Sequence, residues 1–143
     1  MKIYGDVGSG NCYKIKLLLS LLNINHRWIH IDILKKDTQT QEFLSLNPNG
    51  KIPVLVLEDG RVLSESNAIL GYLAEGTKFI PIDLFIKAKM YQWMFFEQYS
   101  HEPFIAVARF INKYLGLPED RRTEYYNLQP KGHKALSIMD KVL

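Results

Sequence analysis

The chain has 143 residues, room for one complete domain and part of a second, and 47% of them are hydrophobic, an ordinary share for a folded protein. Its formal charge of +3 is small and its basic residues are scattered along the chain, which argues against nucleic acid as a partner. The single cysteine, Cys12, rules out an intramolecular disulfide and a thiolate metal site.

Met1 to Tyr4 runs straight into strand-like sequence, without the basic start and apolar core of a signal peptide. The longest apolar stretch, Leu17 to Leu22, is interrupted by Ser20 and falls far below the roughly 18 residues that a membrane helix needs. A cytoplasmic protein with no membrane partner is the expectation.

Lys2 to Tyr4 reads as a short strand, and Gly5 to Gly10 as a glycine-bearing loop with Ser9 near its end. From Asn11, the apolar positions Ile15, Leu18, Leu19 and Leu22 follow helical spacing, with Lys14 and Lys16 facing away and Asn23 closing the helix. His26 to Ile31 alternates as a second strand, parallel to the first. Asp32 to Gln41 is polar and reads as a loop, Glu42 to Leu46 as a short helix, and Asn47 to Gly50 as a turn. Val54 to Leu57 and Arg61 to Leu63 are strands joined by the tight turn Glu58-Asp59-Gly60. Ser66 is then a good N-cap for a helix carrying Ile69, Leu70, Tyr72 and Leu73. The order βαβ, then ββα, gives an α/β domain with a mixed four-stranded sheet and helices on both faces, as a thioredoxin-like fold requires.

Ala74 to Ile82 lacks periodicity and carries Gly76 and Pro81, so the boundaries expected are a first domain at 1–77, a linker at 78–83 and a helical domain at 84–143. Asp83 is the candidate cap of a long helix running toward Tyr114, bent or broken near Ser100 to Pro103. Gly116 ends it and Pro118 opens the next segment. That segment is helical at least from Lys134, where Ala135, Ile138, Met139 and Val142 share a face, while Pro130 and Gly132 argue against continuity before it. Two such helices enclose little core, so the all-α domain reads as incomplete.

Lys51-Ile52-Pro53-Val54-Leu55, followed by Glu65-Ser66-Asn67-Ala68-Ile69, resembles the glutathione-binding half of a soluble glutathione S-transferase of the bacterial, serine type. The resemblance is strong over 1–77 and rests on pattern alone beyond it. It implies a cis peptide before Pro53, which presents the Ile52 amide and carbonyl to a bound peptide as an added strand would. Read from the residues alone, Pro53 is as well an ordinary trans proline opening a strand. The resemblance also implies that Ser66 receives the γ-glutamyl carboxylate at the start of a helix and that Glu65 accepts the γ-glutamyl ammonium. Without it, Ser66 caps the helix and Glu65 complements the macrodipole. Lys51 is placed for the glycyl carboxylate or is simply solvated. The resemblance makes Gln39, in a loop with Thr38 and Gln41, a candidate for a further polar contact.

In serine-type relatives a hydroxyl at the entry to the first helix donates to the glutathione sulfur, which assigns that task to Ser9, with Asn11 as its competitor. A free thiol has a pKa of about 8.5, so ionising it at neutral pH needs roughly two units, or about 2.7 kcal/mol. A hydrogen bond to a charged acceptor supplies about 1.5–3 kcal/mol, and a helix N-terminus about 0.3–1 kcal/mol. Together they suffice without a metal. His26, His30, His101 and His133 show no ligand spacing.

Ser9-Gly10-Asn11-Cys12 has the spacing of a redox C-x-x-C motif with its first cysteine replaced, yet Cys12, one turn into the helix, reads as a packing residue. Tyr99, in an aromatic series with Trp93, Phe95, Phe96 and Phe104, and Arg109 are candidates for a second-substrate pocket, although aromatics at helical spacing also build cores. The resemblance implies a homodimeric glutathione transferase, with glutathione as co-substrate and a small electrophile or peroxide as its partner. It implies several further helices after residue 143, so a truncated chain, or one whose exposed face is covered by pairing, is expected. Two alternatives stay open: a glutathione-dependent disulfide or peroxide reductase, and a non-catalytic interaction module of the same fold.

Overall fold

The computed structural model describes residues 1–142. It divides into two compact units, Met1–Ile80 and Pro81 onward. The first is built on a four-stranded sheet in the order β2-β1-β3-β4. β1 (Lys2–Gly5) pairs parallel with β2 (Arg27–His30) and antiparallel with β3 (Val54–Val56), which in turn pairs antiparallel with β4 (Val62–Ser64). The β3–β4 turn closes where expected, with Gly60 at φ 85°, a conformation open to glycine at no steric cost.

Side chains alternate across a strand, so β1 and β3 each feed two cores. Ile3 and Leu55 pack with Ile15, Leu18 and Leu19 of α1 (Gly10–Leu21) and with Ile69 and Leu73 of α3 (Ser66–Ala74). Val54 and Ile31 meet Phe43 of α2 (Gln41–Leu46) in a second cluster, joined by Tyr4. Thr40 caps α2 by accepting from the Phe43 amide, and a 3₁₀ turn over Asp37–Gln39 precedes it in what the sequence presents as loop.

Two expectations need correction in this unit. Ser66 is not the N-cap of α3 but its first residue, and Glu65 occupies the cap position. The Ser66 hydroxyl is spent elsewhere, as a donor to Asn11 Oδ1. Nor do Lys14 and Lys16 simply face away. Lys14 Nζ donates to Asn67 Oδ1 at 2.9 Å, and Lys16 Nζ lies 5.9 Å from the centre of the Trp28 ring, a cation–π contact.

The second unit is helical. α4 (Leu84–Phe96) is capped by Asp83, whose carboxylate accepts from the Ile86 amide at 2.9 Å. The expected break is a π turn at Glu97–His101, after which α5 (Glu102–Arg109) begins with Pro103 in its first turn, where a missing N–H is harmless. A second π turn at Phe110–Tyr114 leads to Gly116 at φ 71°. α6 then runs unbroken over Arg122–Val142, with Pro130 inside it, which overturns the interruption expected there. Packing outweighs propensity: α6 lies against α5, and a Cβ on the buried Gly132 would stand 3.2 Å from Ile105 Cγ1. Here glycine lets the two helices approach closely, at a cost of about 1 kcal/mol in helix propensity. Among the described residues no helix is long and apolar enough to cross a membrane.

Candidate functional site

Strand register gathers the candidate residues of the first unit at one end of the sheet. Tyr4 lies opposite Val54, and Val54 opposite Ser64. The chain therefore leaves β1 toward Ser9, enters β3 from Ile52-Pro53 and leaves β4 toward Glu65-Ser66, all at the same edge. The Ile52–Pro53 peptide is cis. Among the described residues no hydrogen bond engages the Ile52 amide or carbonyl, so both are available to an added chain.

The loop before Ile52 is held from beneath. Asn47, only 5% exposed, donates from Nδ2 to the Lys51 carbonyl at 2.7 Å and accepts the Asn49 amide at Oδ1. Sequence reading took Asn47 as one residue of a turn, although an asparagine before proline is the signature of a side chain that bonds its own backbone two residues on. The Lys51 side chain is exposed and makes no ion pair among the described residues. Gln39 is exposed, donates from Nε2 to Thr38 Oγ1 at 3.2 Å, and lies so close to the same loop that a Cβ on Gly50 would stand 2.7 Å from its amide nitrogen.

Ser66 is 4% exposed and opens α3, where the first-turn amides have no partner within the helix. Its hydroxyl reaches Asn11 Oδ1 at 3.2 Å, which brings the starts of α1 and α3 together. Glu65 beside it is exposed and sits at φ 67°, ψ 112°. That conformation is costly for a residue with a side chain and is characteristic of ligand sites.

Ser9 is the N-cap of α1, but its hydroxyl caps no amide of the helix. Burial pushes the Cys12 thiol up, while hydrogen bonds from the Ser9 side chain and the Asp6 backbone act the other way. The sulfur is fully buried against Gly5, where a Cβ would stand 2.9 Å from Sγ. A protonated, enclosed thiol is a poor nucleophile.

In the second unit Tyr99 is 85% exposed on the first π turn, and the Arg109 guanidinium lies 5.8 Å from the Tyr114 ring centre. Neither belongs to a core. Within the first unit a cavity of about 280 Å³ opens between the sheet and α2, lined by Tyr4, Ile31, Glu42 and Phe43 among others. None of the candidate residues borders it, so the convergence of strand ends and helix starts is the better guide to chemistry. No group of His, Cys, Asp and Glu side chains able to hold a metal occurs among the described residues.

A βαβ-ββα sheet with a cis-proline edge, followed by helices, defines a thioredoxin-like domain joined to a helical one. The family model for the glutathione S-transferase N-terminal domain matches residues 8–75. A solved glutathione S-transferase from Pseudomonas fluorescens is 61% identical with a TM-score of 0.95, over 98% of this chain and 70% of that one. A zeta-class glutathione S-transferase from Euphorbia esula is 34% identical over 79% of this chain and 52% of its own length. The glutathione transferase URE2P6 from Phanerochaete chrysosporium, solved in complex with oxidized glutathione, is 25% identical with a TM-score of 0.84, over 99% of this chain and 66% of that one. The chain belongs to the glutathione S-transferase family. It spans 52% and 63% of the length of two of its curated relatives.

Proposed function

We propose that this chain binds glutathione and, as a glutathione transferase, activates its thiol for attack on a small electrophile or a peroxide. The observation that carries the reading is the buried Ser66 at the start of α3, bonded to Asn11 near the start of α1, at the sheet end where the Ile52 backbone groups are unengaged. Glutathione has a group for each. Its γ-glutamyl carboxylate meets the α3 amides and Ser66, since a helix start favours an anion. Its ammonium meets Glu65, and its cysteinyl backbone pairs with Ile52 beside Pro53. Lys51, with Gln39 nearby, takes the glycyl carboxylate.

The sulfur then faces the α1 start, where Ser9 donates a hydrogen bond to it and the thiol proton leaves to solvent. The thiolate attacks an electrophilic carbon, forming the C–S bond while the leaving group departs with its electron pair. Asn11 is the second candidate for that donation, through its side-chain Nδ2–H, since the contact with Ser66 engages only its oxygen. Tyr99 and Arg109 are proposed for the second substrate, and a homodimer for the assembly. No metal enters this scheme. Glutathione-dependent disulfide reduction through Cys12 is disfavoured by its full burial and raised pKa.

Calorimetry of the chain and of Ser66→Ala with glutathione tests this. The chain binds, and the variant binds at least about tenfold more weakly, because the Ser66 hydroxyl turns from Asn11 to the carboxylate on binding and that charge-assisted bond is lost. Equal affinities, or no binding by the chain, would overturn the reading.

A further inference from the structure

The cavity between the sheet and α2 lies apart from the groups proposed for glutathione, and its lining has a chemistry of its own. α2 has six residues and is about 9 Å long, too short to fill the sheet face beside it. A space of about 280 Å³ remains, close to the lower limit of about 300 Å³ for pockets that take small ligands. Ile29, Ile31, Phe43, Leu46 and the Tyr4 ring make its walls apolar. Tyr4 and Ile29 are only half-buried there, although Ile31 and Phe43 beside them are 8% and 3% exposed.

The polar edge of the cavity is acidic. Glu42, in the first turn of α2, makes no ion pair or hydrogen bond through its carboxylate among the described residues. Asp37 spends Oδ2 on the Asp32 amide at 2.8 Å, and its Oδ1 accepts no hydrogen bond among the described residues. No basic side chain among the described residues lines the space. Side chains alternate across a strand, so Lys2 and Arg27, paired two residues before Tyr4 and Ile29, share this sheet face but lie outside the cavity. Their charges repel a cation from that side and favour its placement toward α2. An anion would meet two carboxylates, and a neutral apolar molecule would leave both unanswered. We propose that this cavity binds a small amphipathic cation, an aryl- or alkylammonium, with its apolar body against Ile29 and Ile31 and its charge facing Asp37 and Glu42. The Tyr4 and Phe43 rings add the attraction of aromatic faces for an ammonium.

Titration of the whole chain with benzyltrimethylammonium, followed through the amide signals in NMR, tests this. Saturable shifts are expected at Tyr4, Ile31 and Phe43, and none there with phenylacetate, which carries the same ring and the opposite charge. Glu42→Gln and Asp37→Asn each weaken binding by about threefold, the scale of an exposed charge pair, and the double variant by about tenfold. An amide oxygen at position 37 still receives the Asp32 amide, and Glu42→Gln, on an exposed side chain, carries the comparison if the double variant does not fold. Excess glutathione leaves the titration unchanged, because the two sites are separate. The absence of saturable shifts at those three residues, equal binding of phenylacetate, unchanged affinity in the variants, or displacement by glutathione overturns the inference.

Discussion

The two units bury their apolar residues to very different degrees. In the first, Ile3, Ile15, Leu19, Leu55 and Ile69 are fully enclosed, and the sheet is covered on both faces. In the second, α4 has no buried residue, and Leu84, Phe85 and Phe95 are 82%, 68% and 70% exposed. Among its described residues, Ile111, Gly132 and Ala135 alone are buried. A sheet sandwiched by helices closes its own core, whereas helices with broad apolar faces must find other surfaces. The candidate site residues, whose proposed roles call for rigid placement, lie mostly on the closed unit.

That contrast can be broken most forcefully in the cores. Leu55→Ala should destabilise the chain by about 2–5 kcal/mol, the usual cost of truncating an enclosed leucine. Phe85→Ala should change stability by no more than about 0.5 kcal/mol, since its ring is already in water. Denaturant unfolding measures both. Similar losses for the two would show that the second unit carries a core not visible in its exposure.

Cys12 sharpens the contrast through pH. Its folded-state pKa is raised by burial, so the folded chain holds the thiol proton more tightly than the unfolded one. The associated stability is therefore complete below the ordinary thiol value of 9.0 and is lost as pH rises from there through the folded pKa. Melting followed into alkaline buffer should show this decline in the unmodified chain and a smaller one in Cys12→Ala. Iodoacetamide at neutral pH should label Cys12 only after unfolding. Rapid labelling of the folded chain would reopen the reductase reading.

A smaller gain than the loss at Leu55 is expected at Glu65. Glu65→Gly should raise stability by about 1 kcal/mol by relieving its left-handed backbone, and should weaken glutathione binding at the same time. Thermal melts and calorimetry on one preparation would show the two moving in opposite directions. If stability falls, the conformation is supported by contacts of the side chain and is not strain held for a ligand.

Much of the first unit was legible because its signals are local. The Glu58-Asp59-Gly60 turn fixes a hairpin, the spacing of Ile15, Leu18 and Leu19 fixes a helix face, and strand order follows from connection length. What escaped depends on neighbours distant in sequence. Nothing in the α1 pattern says that Lys14 meets Asn67, or that the Ser66 hydroxyl turns to Asn11 in place of capping its helix. The continuity of α6 through Pro130 was hidden for the same reason, since it depends on α5 packing at Gly132. Propensity reads the helix; only its neighbour reads the exception.

Asn47 carries a consequence for how the recognition proposed at Ile52 would tolerate change. Because the groups offered at that edge belong to the main chain, the identity of the side chain at 52 matters little to them, and the shape of the loop matters greatly. The residue that governs the outcome is the enclosed amide underneath, which holds the Lys51 carbonyl. A search for altered selectivity that mutates only visible lining positions would pass over it, while one change at 47 would shift every contact along the rim together.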